Sequence, residues 1–326
     1  MPFPERAARP PRFAALDATR GLALCAMVVF HCAFDLDTLG LVGIGIDSPG
    51  WRWFARLIAG SFLFLSGTSL VIAHDKAFRA AAYVRRIAIL VGAAALVTFA
   101  TWYAMPGEFI FFGILHSIAV ASLVGLLFLR APSLLTLAAG VLALALPGYV
   151  ASPGFDAWPL VWLGLGTTAP STLDFEPVFP WLAPFLAGMA AARPGLQRFA
   201  RSAVAAWRPR SRPGRALAFA GRHSLLVYLV HQPLMFGSLW LLALSLAAGP
   251  RLPSEDRPFV EACQRTCLER GGDKRGCASY CVCTAGELKK AGLWESVLAD
   301  RLTPELHQRL AAAMQACAPG RAGGGS

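Results

Sequence analysis

Four polar residues whose types and spacing could do chemistry share one face of the first apolar segment. Asp17, Arg20, His31 and Asp35 fall within an arc of about 60° if residues 17–35 form an α-helix. Ionisable groups at membrane depth cost about 2.5–3.5 kcal/mol each on insertion scales, so they need a partner or a water-filled cavity. A carboxylate one turn after a histidine can fix the tautomer of its ring. We therefore expect Asp35 to orient His31 as a general base or acyl carrier.

Two further histidines lie in apolar segments among other polar residues. His116 stands in FFGILHSIA, residues 111–119, and His231 stands in GRHSLLVYLVHQP, residues 221–233. Both fit the stabilisation of an oxyanion or the relay of a proton. For each histidine the structural alternative is a buried ring bonded to a nearby backbone carbonyl. The predicted catalytic residues are His31, Asp35, His116 and His231.

The predicted substrate-binding residues lie towards the two ends of the apolar segments. Arginines near the cytoplasmic ends, with Arg85 or Arg86 as additional candidates, fit phosphate groups; their alternative role is to anchor topology. The segment DFEPVFPW, residues 174–181, fits a sugar through its acids and its tryptophan, although tryptophan also anchors helices at the membrane surface. The predicted substrate-binding residues are Arg20, Arg222, Tyr228, Gln232, Asp174 and Trp181.

The composition indicates that these residues are positioned by membrane helices. The chain has 326 residues, of which 56% are hydrophobic and 15% charged, and its mean hydropathy is +0.53. Soluble domains carry about 25% charged residues. The net charge of +11 arises mainly from basic residues between hydrophobic segments, where such residues set topology, so we predict no nucleic-acid partner.

Seven segments are long and apolar enough to cross a bilayer. A further stretch, 157–169, could be re-entrant or interfacial, so six or eight spans are the alternatives. We predict an all-α polytopic transmembrane bundle with a small helical C-terminal tail. The seven segments are residues 18–38, 53–73, 84–104, 109–129, 133–150, 178–192 and 219–246.

The distribution of basic residues predicts the orientation of the bundle. With the N-terminus inside, the inner segments hold 17 Lys and Arg residues, while the outer segments hold only Arg52 and Arg56. This split favours a cytoplasmic N-terminus and an external C-terminus. The basic, proline-rich residues 1–12 fit a cytoplasmic flank before a retained signal anchor.

The tail carries six of the eight cysteines, as an oxidising compartment would favour. Two CxxxC pairs, separated by nine residues around Gly271-Gly272, place their cysteines on the facing sides of two helices. A zinc site is the rival interpretation. Thr284 and Thr303 predict helix starts at 285 and 304. The domains are 1–246 (transmembrane), 247–320 (cysteine-rich tail) and 321–326 (flexible terminus).

Several motifs in order resemble a known enzyme family. ALDATRGLA, VFHCAFDL, GSFLFLSG, FGILHSIA and GRHSLLVYLVHQP, spread over about residues 12–245, are similar to bacterial relatives of heparan-α-glucosaminide N-acetyltransferase. The resemblance implies an acyl group taken from acetyl-CoA at the cytoplasmic side and delivered to a glycan on the far side. It also implies a catalytic role for His31. The lysosomal enzyme has more spans and a luminal domain before them, so its acceptor is not carried over.

The tail resembles twin-CxxxC helical hairpins. That resemblance implies the disulfides Cys263–Cys281 and Cys267–Cys277, which leaves Cys283 for Cys317. Six cysteines allow 15 connectivities.

Together these features predict an inner-membrane acyltransferase. The expected partners are the lipid bilayer, acetyl-CoA or another acyl-CoA as co-substrate, and a glycan or amino-sugar acceptor with an amine or hydroxyl nucleophile. No metal is expected, and a homo-oligomer stays open. The alternatives are a proton-coupled transporter, since intramembrane His and Asp also build proton relays, and a non-catalytic membrane anchor for the tail. Against a transporter, the spans show no internal repeat.

Overall fold

The computed structural model describes residues 13–74, 77–200, 206–246, 256–299, 301 and 303–317. Our predictions for the N-terminal flank 1–12 and for the terminus 321–326 lie outside the described residues. The chain forms two compact units, Met1–Leu239 and Trp240–Ser326. Each unit is described by itself below.

The first unit is built of long helices in an all-α arrangement. Two short 3-10 turns, Pro153–Asp156 and Val161–Leu163, lie between α5 and α6. The helix α8 begins in this unit and continues past its boundary. The helices are α1 (Ala14–Thr38), α2 (Pro49–His74), α3 (Ala80–Ala104), α4 (Ile114–Phe128), α5 (Ser133–Val150), α6 (Val178–Ala200), α7 (Arg212–Arg222) and α8 (Ser224–Leu246).

The predicted class, an all-α polytopic bundle, is confirmed. Five helices are long and apolar enough to cross a membrane, namely α1, α2, α3, α5 and the stretch Ser224–Ser245 of α8. Two shorter apolar helices, Ile114–Phe128 and Val178–Arg193, take the remaining two of the seven predicted positions. The stretch 157–169 holds only a short 3-10 turn, so the structure gives it no spanning helix.

Two predicted segment boundaries are wrong. The segment 109–129 becomes helical only at Ile114, because residues 109–113 run alongside another part of the chain through backbone hydrogen bonds. The segment 219–246 is divided at His223, where α7 ends and α8 begins. Both departures matter for the site, because each places polar side chains at the end of a helix.

Glycines let α2 and α6 cross in close contact. A Cβ atom at Gly67 would lie 2.1 Å from the backbone oxygen of Phe185, and a Cβ at Gly188 would lie 2.1 Å from that of Phe64. Both glycines therefore permit a backbone approach that any other residue would prevent. The GSFLFLSG run, whose small residues we interpret as a helix-packing surface, contributes Gly67 to this crossing.

The helix α7 lies against the first half of α1 in the same way. A Cβ at Gly21 would lie 2.1 Å from the backbone oxygen of Leu217, and one at Gly221 would lie 1.7 Å from that of Asp17. The Ser211 hydroxyl accepts a hydrogen bond from the backbone N–H of Gly214, which caps the N-terminus of α7. This crossing brings the end of α7 next to the polar face of α1.

The core of the first unit lies where α2, α4, α5 and α6 meet. Its most buried side chains are Leu63, Leu70, Phe185, Leu186 and Met189. The helix α8 packs against Ala93, Ala94 and Leu115 through Leu225, Tyr228 and Leu229. That contact turns Tyr228 and the residues one turn further along towards the bundle.

The second unit is a small helical tail held by three disulfides. Its helices are α9 (Arg257–Glu269), α10 (Lys274–Lys290), α11 (Trp294–Leu298) and α12 (Pro304–Ala316). The bonds Cys263–Cys281, Cys267–Cys277 and Cys283–Cys317 confirm the predicted pairing. The helix start at 304 is confirmed with Thr303 as its cap, but the start predicted at 285 is wrong. Thr284 lies inside α10, and its hydroxyl donates to the backbone oxygen of Tyr280.

Candidate active site between α1 and α8

A buried carboxylate on α1 is held by an amide on α8. Asp35 is only 1% exposed, and its Oδ1 accepts a hydrogen bond of 2.9 Å from Nε2 of Gln232. These two residues are 197 positions apart in the chain. We expected Asp35 to bond His31 one turn earlier, and that expectation is wrong because Oδ1 takes Gln232 and Oδ2 has no hydrogen-bond partner.

Two histidines face each other beside this carboxylate. The rings of His31 on α1 and His231 on α8 lie 5.2 Å apart, centroid to centroid. Nδ1 of His231 lies 2.7 Å from the backbone oxygen of Tyr228. A carbonyl oxygen only accepts, so Nδ1 carries the hydrogen, and Nε2 of the neutral ring presents a lone pair. The structure thus gives the fixed tautomer to His231.

Three buried acceptor atoms in this region have no donor. They are Oδ2 of Asp35, Oε1 of Gln232 and Nε2 of His231. All three residues lie within about one helical turn of one another on the facing helices α1 and α8. Buried polar atoms are nearly always hydrogen-bonded, so a group of unpaired acceptors indicates a place for a ligand or water that supplies donors.

Two acids reach the same side of the bundle from the segment between α5 and α6. The backbone N–H of Glu176 donates to the backbone oxygen of Phe112, and that of Leu173 donates to Glu108. This pairing extends the segment, so Asp174 and Glu176, two residues apart, point to the same side. Oδ2 of Asp174 accepts from the backbone N–H of Ile114 at 3.0 Å.

Burial changes the acidity of both carboxyls. It raises the pKa of Asp174 to about 6, although the hydrogen bond from Ile114 acts in the opposite direction. Burial also raises the pKa of Glu176 well above its usual value. The negative charge of Asp174 adds to that effect, and the positive charge of Arg56 only partly opposes it.

Tyr228 connects the acids to the histidines. Both Asp174 and Glu176 lie close enough to the Tyr228 hydroxyl to interact with it electrostatically. The ring of Tyr228 lies 5.9 Å from that of His231. The predicted residues Asp35, His31, His231, Gln232, Tyr228 and Asp174 therefore form one polar region.

His116 lies at the start of α4 with local partners for both ring nitrogens. Nδ1 accepts from the backbone N–H of Gly113 at 3.3 Å, and Nε2 lies 3.3 Å from the hydroxyl of Thr98. The next backbone N–H, that of Ile114, holds Asp174. This histidine thus shapes the turn that positions Asp174, and within the described residues no hydrogen bond or ring contact joins it to His31 or His231.

The opposite end of α1 carries a cluster of arginines. Arg20 forms a 2.9 Å ion pair with Asp17 and donates to the hydroxyl of Ser69. Arg222 lies 3.8 Å from the other oxygen of Asp17. Arg86 donates to Ser66 at 2.8 Å and is close enough to Arg20 for the two charges to interact. Two guanidinium groups thus share the carboxylate of Asp17 while a third, that of Arg86, interacts with Arg20, which leaves an excess of positive charge.

Trp181, a predicted substrate-binding residue, lies apart from this region, and so does a cavity that the sequence did not predict. The ring of Trp181 is half-buried and packs next to Gly60 on α2. A cavity of about 240 Å³ lies near the ends of α2, α4 and α6 and is lined by His74, Arg130 and Arg193 among others. It shares none of its lining residues with the site between α1 and α8.

Sequence reasoning missed Glu176 and the serines that hold the arginines. Glu176 lay within the segment assigned to sugar binding, but nothing in its spacing distinguished it from Asp174. Ser66 and Ser69 belong to the small-residue run on α2, which we interpreted as packing only. Their three-residue spacing, which places both hydroxyls on one helix face, was the available signal.

The fold and the buried polar region define a polytopic membrane protein with an enzyme-like site inside its bundle. Residues 12–233 match the family model for heparan-alpha-glucosaminide N-acetyltransferase, catalytic. The chain belongs to this family, whose type is a membrane acetyltransferase. Searches of curated proteins and of solved structures gave no match. The matched range contains the whole α1–α8 site and ends before the disulfide-bonded tail.

Proposed function

We propose that the protein transfers an acyl group, in the first instance acetyl, from cytoplasmic acyl-CoA to an amine of an extracytoplasmic glycan-like acceptor. The observation that supports this proposal is the set of three unpaired acceptors on Asp35, Gln232 and His231 beside His31. A primary ammonium group carries three donors and no acceptor, which complements such a set. A hydroxyl carries one donor, so it satisfies the set less well.

The arginine cluster supports a site for the phosphates of the donor. Arg20 and Arg222 share the carboxylate of Asp17, and Arg86 is close enough to Arg20 for their charges to interact. The hydroxyls of Ser69 and Ser66 accept hydrogen bonds from Arg20 and Arg86. Guanidinium groups bind phosphate through paired hydrogen bonds as well as charge. With the pyrophosphate at this end of α1, the pantetheine arm would extend along α1 towards His31.

The histidine pair supports the chemical step. The bound ammonium first loses one proton to solvent. The nitrogen of the resulting neutral amine attacks the thioester carbonyl, the carbon–sulfur bond breaks, and coenzyme A leaves as a thiolate. The proton of the attacking nitrogen passes to the bare Nε2 of His231, whose tautomer is fixed by the Tyr228 carbonyl. The ring of His31, whose centroid lies 5.2 Å from that of His231, donates a hydrogen bond to the carbonyl oxygen as negative charge develops there.

Purified protein in proteoliposomes tests this proposal against its rivals. Acetyl-CoA with a labelled acetyl group is supplied on one side and an amino sugar on the other. We expect label on the amino sugar, and loss of that transfer in His31→Ala but not in His307→Ala, which removes an exposed histidine of the tail. Movement of substrate without label transfer would favour the transporter, and neither outcome would favour the membrane anchor.

A further inference from the structure

The two acids between α5 and α6 are half-buried side chains whose charges interact with each other. Oε2 of Glu176 is fully buried and has no hydrogen-bond partner. Oδ2 of Asp174 accepts from one backbone N–H. Within the described part of the chain, the salt bridges of the structure involve neither residue.

Space for this pair is built into the start of α4. A Cβ atom at Gly113 would lie 2.2 Å from Oδ2 of Asp174, so only glycine lets the carboxylate reach the N–H of Ile114. The backbone bond between Glu176 and Phe112 fixes the second acid on the same side. Backbone N–H and C=O groups therefore hold both acids: Ile114 binds the side chain of Asp174, and Phe112 binds the backbone of Glu176.

A buried carboxylate pair has two low-energy states. Because an uncompensated buried charge is costly, the second carboxyl holds a proton when the pair is empty. A bound cation can take the place of that proton. Burial and the charge of Asp174 raise the pKa of Glu176 well above its usual value, which favours the protonated form of this carboxyl.

We propose that Asp174 and Glu176 form a recognition subsite for a primary ammonium group of the acceptor, and that the pair releases one proton when the ammonium binds. This inference rests on the proposed function in taking the ligand to be the acceptor. The ammonium stays intact on binding. The O–H bond of Glu176 breaks, its proton passes to solvent, and the new carboxylate pairs with the ammonium.

The surroundings of the pair support a path from this subsite to the histidines. The charged and titratable groups that face Glu176 are Asp174 from its own segment, Arg56 from α2 and Tyr228 from α8. Tyr228 interacts electrostatically with both acids, and its ring lies 5.9 Å from that of His231. Tyr228 therefore links the acids to His231, whose Nε2 is unpaired.

Titration calorimetry with glucosamine, in buffers of different ionisation enthalpy, measures the proton release. N-acetylglucosamine is the matched neutral ligand, and no acyl donor is present. We expect the wild type to release about one proton per ammonium bound at neutral pH. In Glu176→Gln the release should disappear and the affinity should fall about tenfold. Glu108→Gln, which neutralises an exposed acid before α4, should behave as the wild type.

The outcomes separate this inference from the proposed function. Proton release that depends on Glu176, together with absent acyl transfer, supports the subsite and contradicts the transferase. Three results would overturn the subsite: no binding of glucosamine, binding without proton release, or equal release in wild type and Glu176→Gln. Equal affinity for N-acetylglucosamine would also overturn it, because that ligand carries no ammonium.

Discussion

At the scale of single residues, the site depends on which atoms lack partners. Nδ1 of His231 is committed to a backbone carbonyl one turn earlier, and Asp35 spends one oxygen on Gln232. What is left over is a set of acceptors facing His31. Their shared need for donors links the structure to an amine substrate.

Replacing Gln232 with leucine tests the energetic link between the two helices. Asp35 would lose its hydrogen-bond donor and become a buried, unpaired carboxylate, so we expect the free energy of unfolding to fall by about 1–3 kcal/mol. The double variant Asp35→Leu/Gln232→Leu should recover most of that loss, because it removes both buried polar groups. Unfolding in mixed micelles of increasing denaturing detergent measures the difference. If the double variant loses stability additively, the two side chains are not coupled.

The acids of the outer segment should make stability depend on pH. Their pKa values are raised in the folded state, to about 6 for Asp174 and well above the usual value for Glu176, so the folded protein holds protons that the unfolded chain has released. The stability that these acids contribute should therefore be fully present below about pH 4, where both states are protonated, and should fall as pH rises through about 6. Melting temperatures across this range should fall for the wild type and change less for Asp174→Asn/Glu176→Gln. The same slope in both proteins would contradict this assignment.

The sequence allowed us to predict which residues form the site, but not which hydrogen bonds join them. Hydropathy and helical spacing placed His31, Asp35 and His231 inside the bundle, because a polar group in an apolar run is conspicuous. The hydrogen bond from Gln232 to Asp35 joins residues 197 positions apart, and no local pattern encodes such a contact. Local spacing instead suggested the pair of Asp35 and His31, which the structure does not form.

At the scale of elements, close helix crossings set the depth of each polar side chain. The contact of α7 with α1 depends on Gly21 and Gly221 and brings Arg222 to Asp17. The crossing of α2 and α6 depends on Gly67 and Gly188. Ser69 and Ser66, which accept hydrogen bonds from Arg20 and Arg86, lie within two residues of Gly67 on α2.

A methyl group at Gly67 should disturb that crossing. Its Cβ would lie 2.1 Å from the backbone oxygen of Phe185, so the helices must separate, and we expect Gly67→Ala to cost about 1–3 kcal/mol. The matched control is Gly92→Ala on α3, where nothing lies within 4 Å and the change should be neutral or slightly stabilising. Thermal unfolding of both variants in the same detergent measures the effect. Equal stability of the two variants would contradict the role of Gly67.

The positions of the apolar helices could be predicted from the sequence, whereas the helix ends at Ile114 and His223 could not. All seven apolar segments are helical because a long apolar run in a membrane must satisfy its backbone internally. Residues 109–113 are just as apolar but pair with residues 172–176 through backbone hydrogen bonds, which hydropathy does not register. That pairing is also what hid the arrangement of Asp174 and Glu176.

At the scale of the whole molecule, charge and cysteine chemistry favour the same orientation. The predicted inner segments carry 17 of the Lys and Arg residues of the membrane part and the outer ones carry two. The tail contains three disulfides, which persist in oxidising compartments. Both features support the prediction that the tail lies on the outer side of the membrane and that the N-terminus is cytoplasmic.

Reporter fusions test this orientation. Alkaline phosphatase, which folds only in an oxidising compartment, should be active when fused after the tail and inactive when fused before residue 13. A fluorescent protein that matures in the cytoplasm should show the reverse pattern. Active phosphatase at the N-terminus would reverse the predicted topology and place the arginine cluster outside, away from cytoplasmic acyl-CoA.

Single-turnover acetyl transfer by His231→Ala tests the catalytic site most directly. The variant lacks the bare Nε2, so we expect the rate of transfer from acetyl-CoA to the amine to fall about 100- to 10,000-fold. Coenzyme A phosphates would still meet the arginines, so donor affinity should stay unchanged, and added free imidazole should restore part of the rate. Transfer at the wild-type rate in His231→Ala would contradict the account.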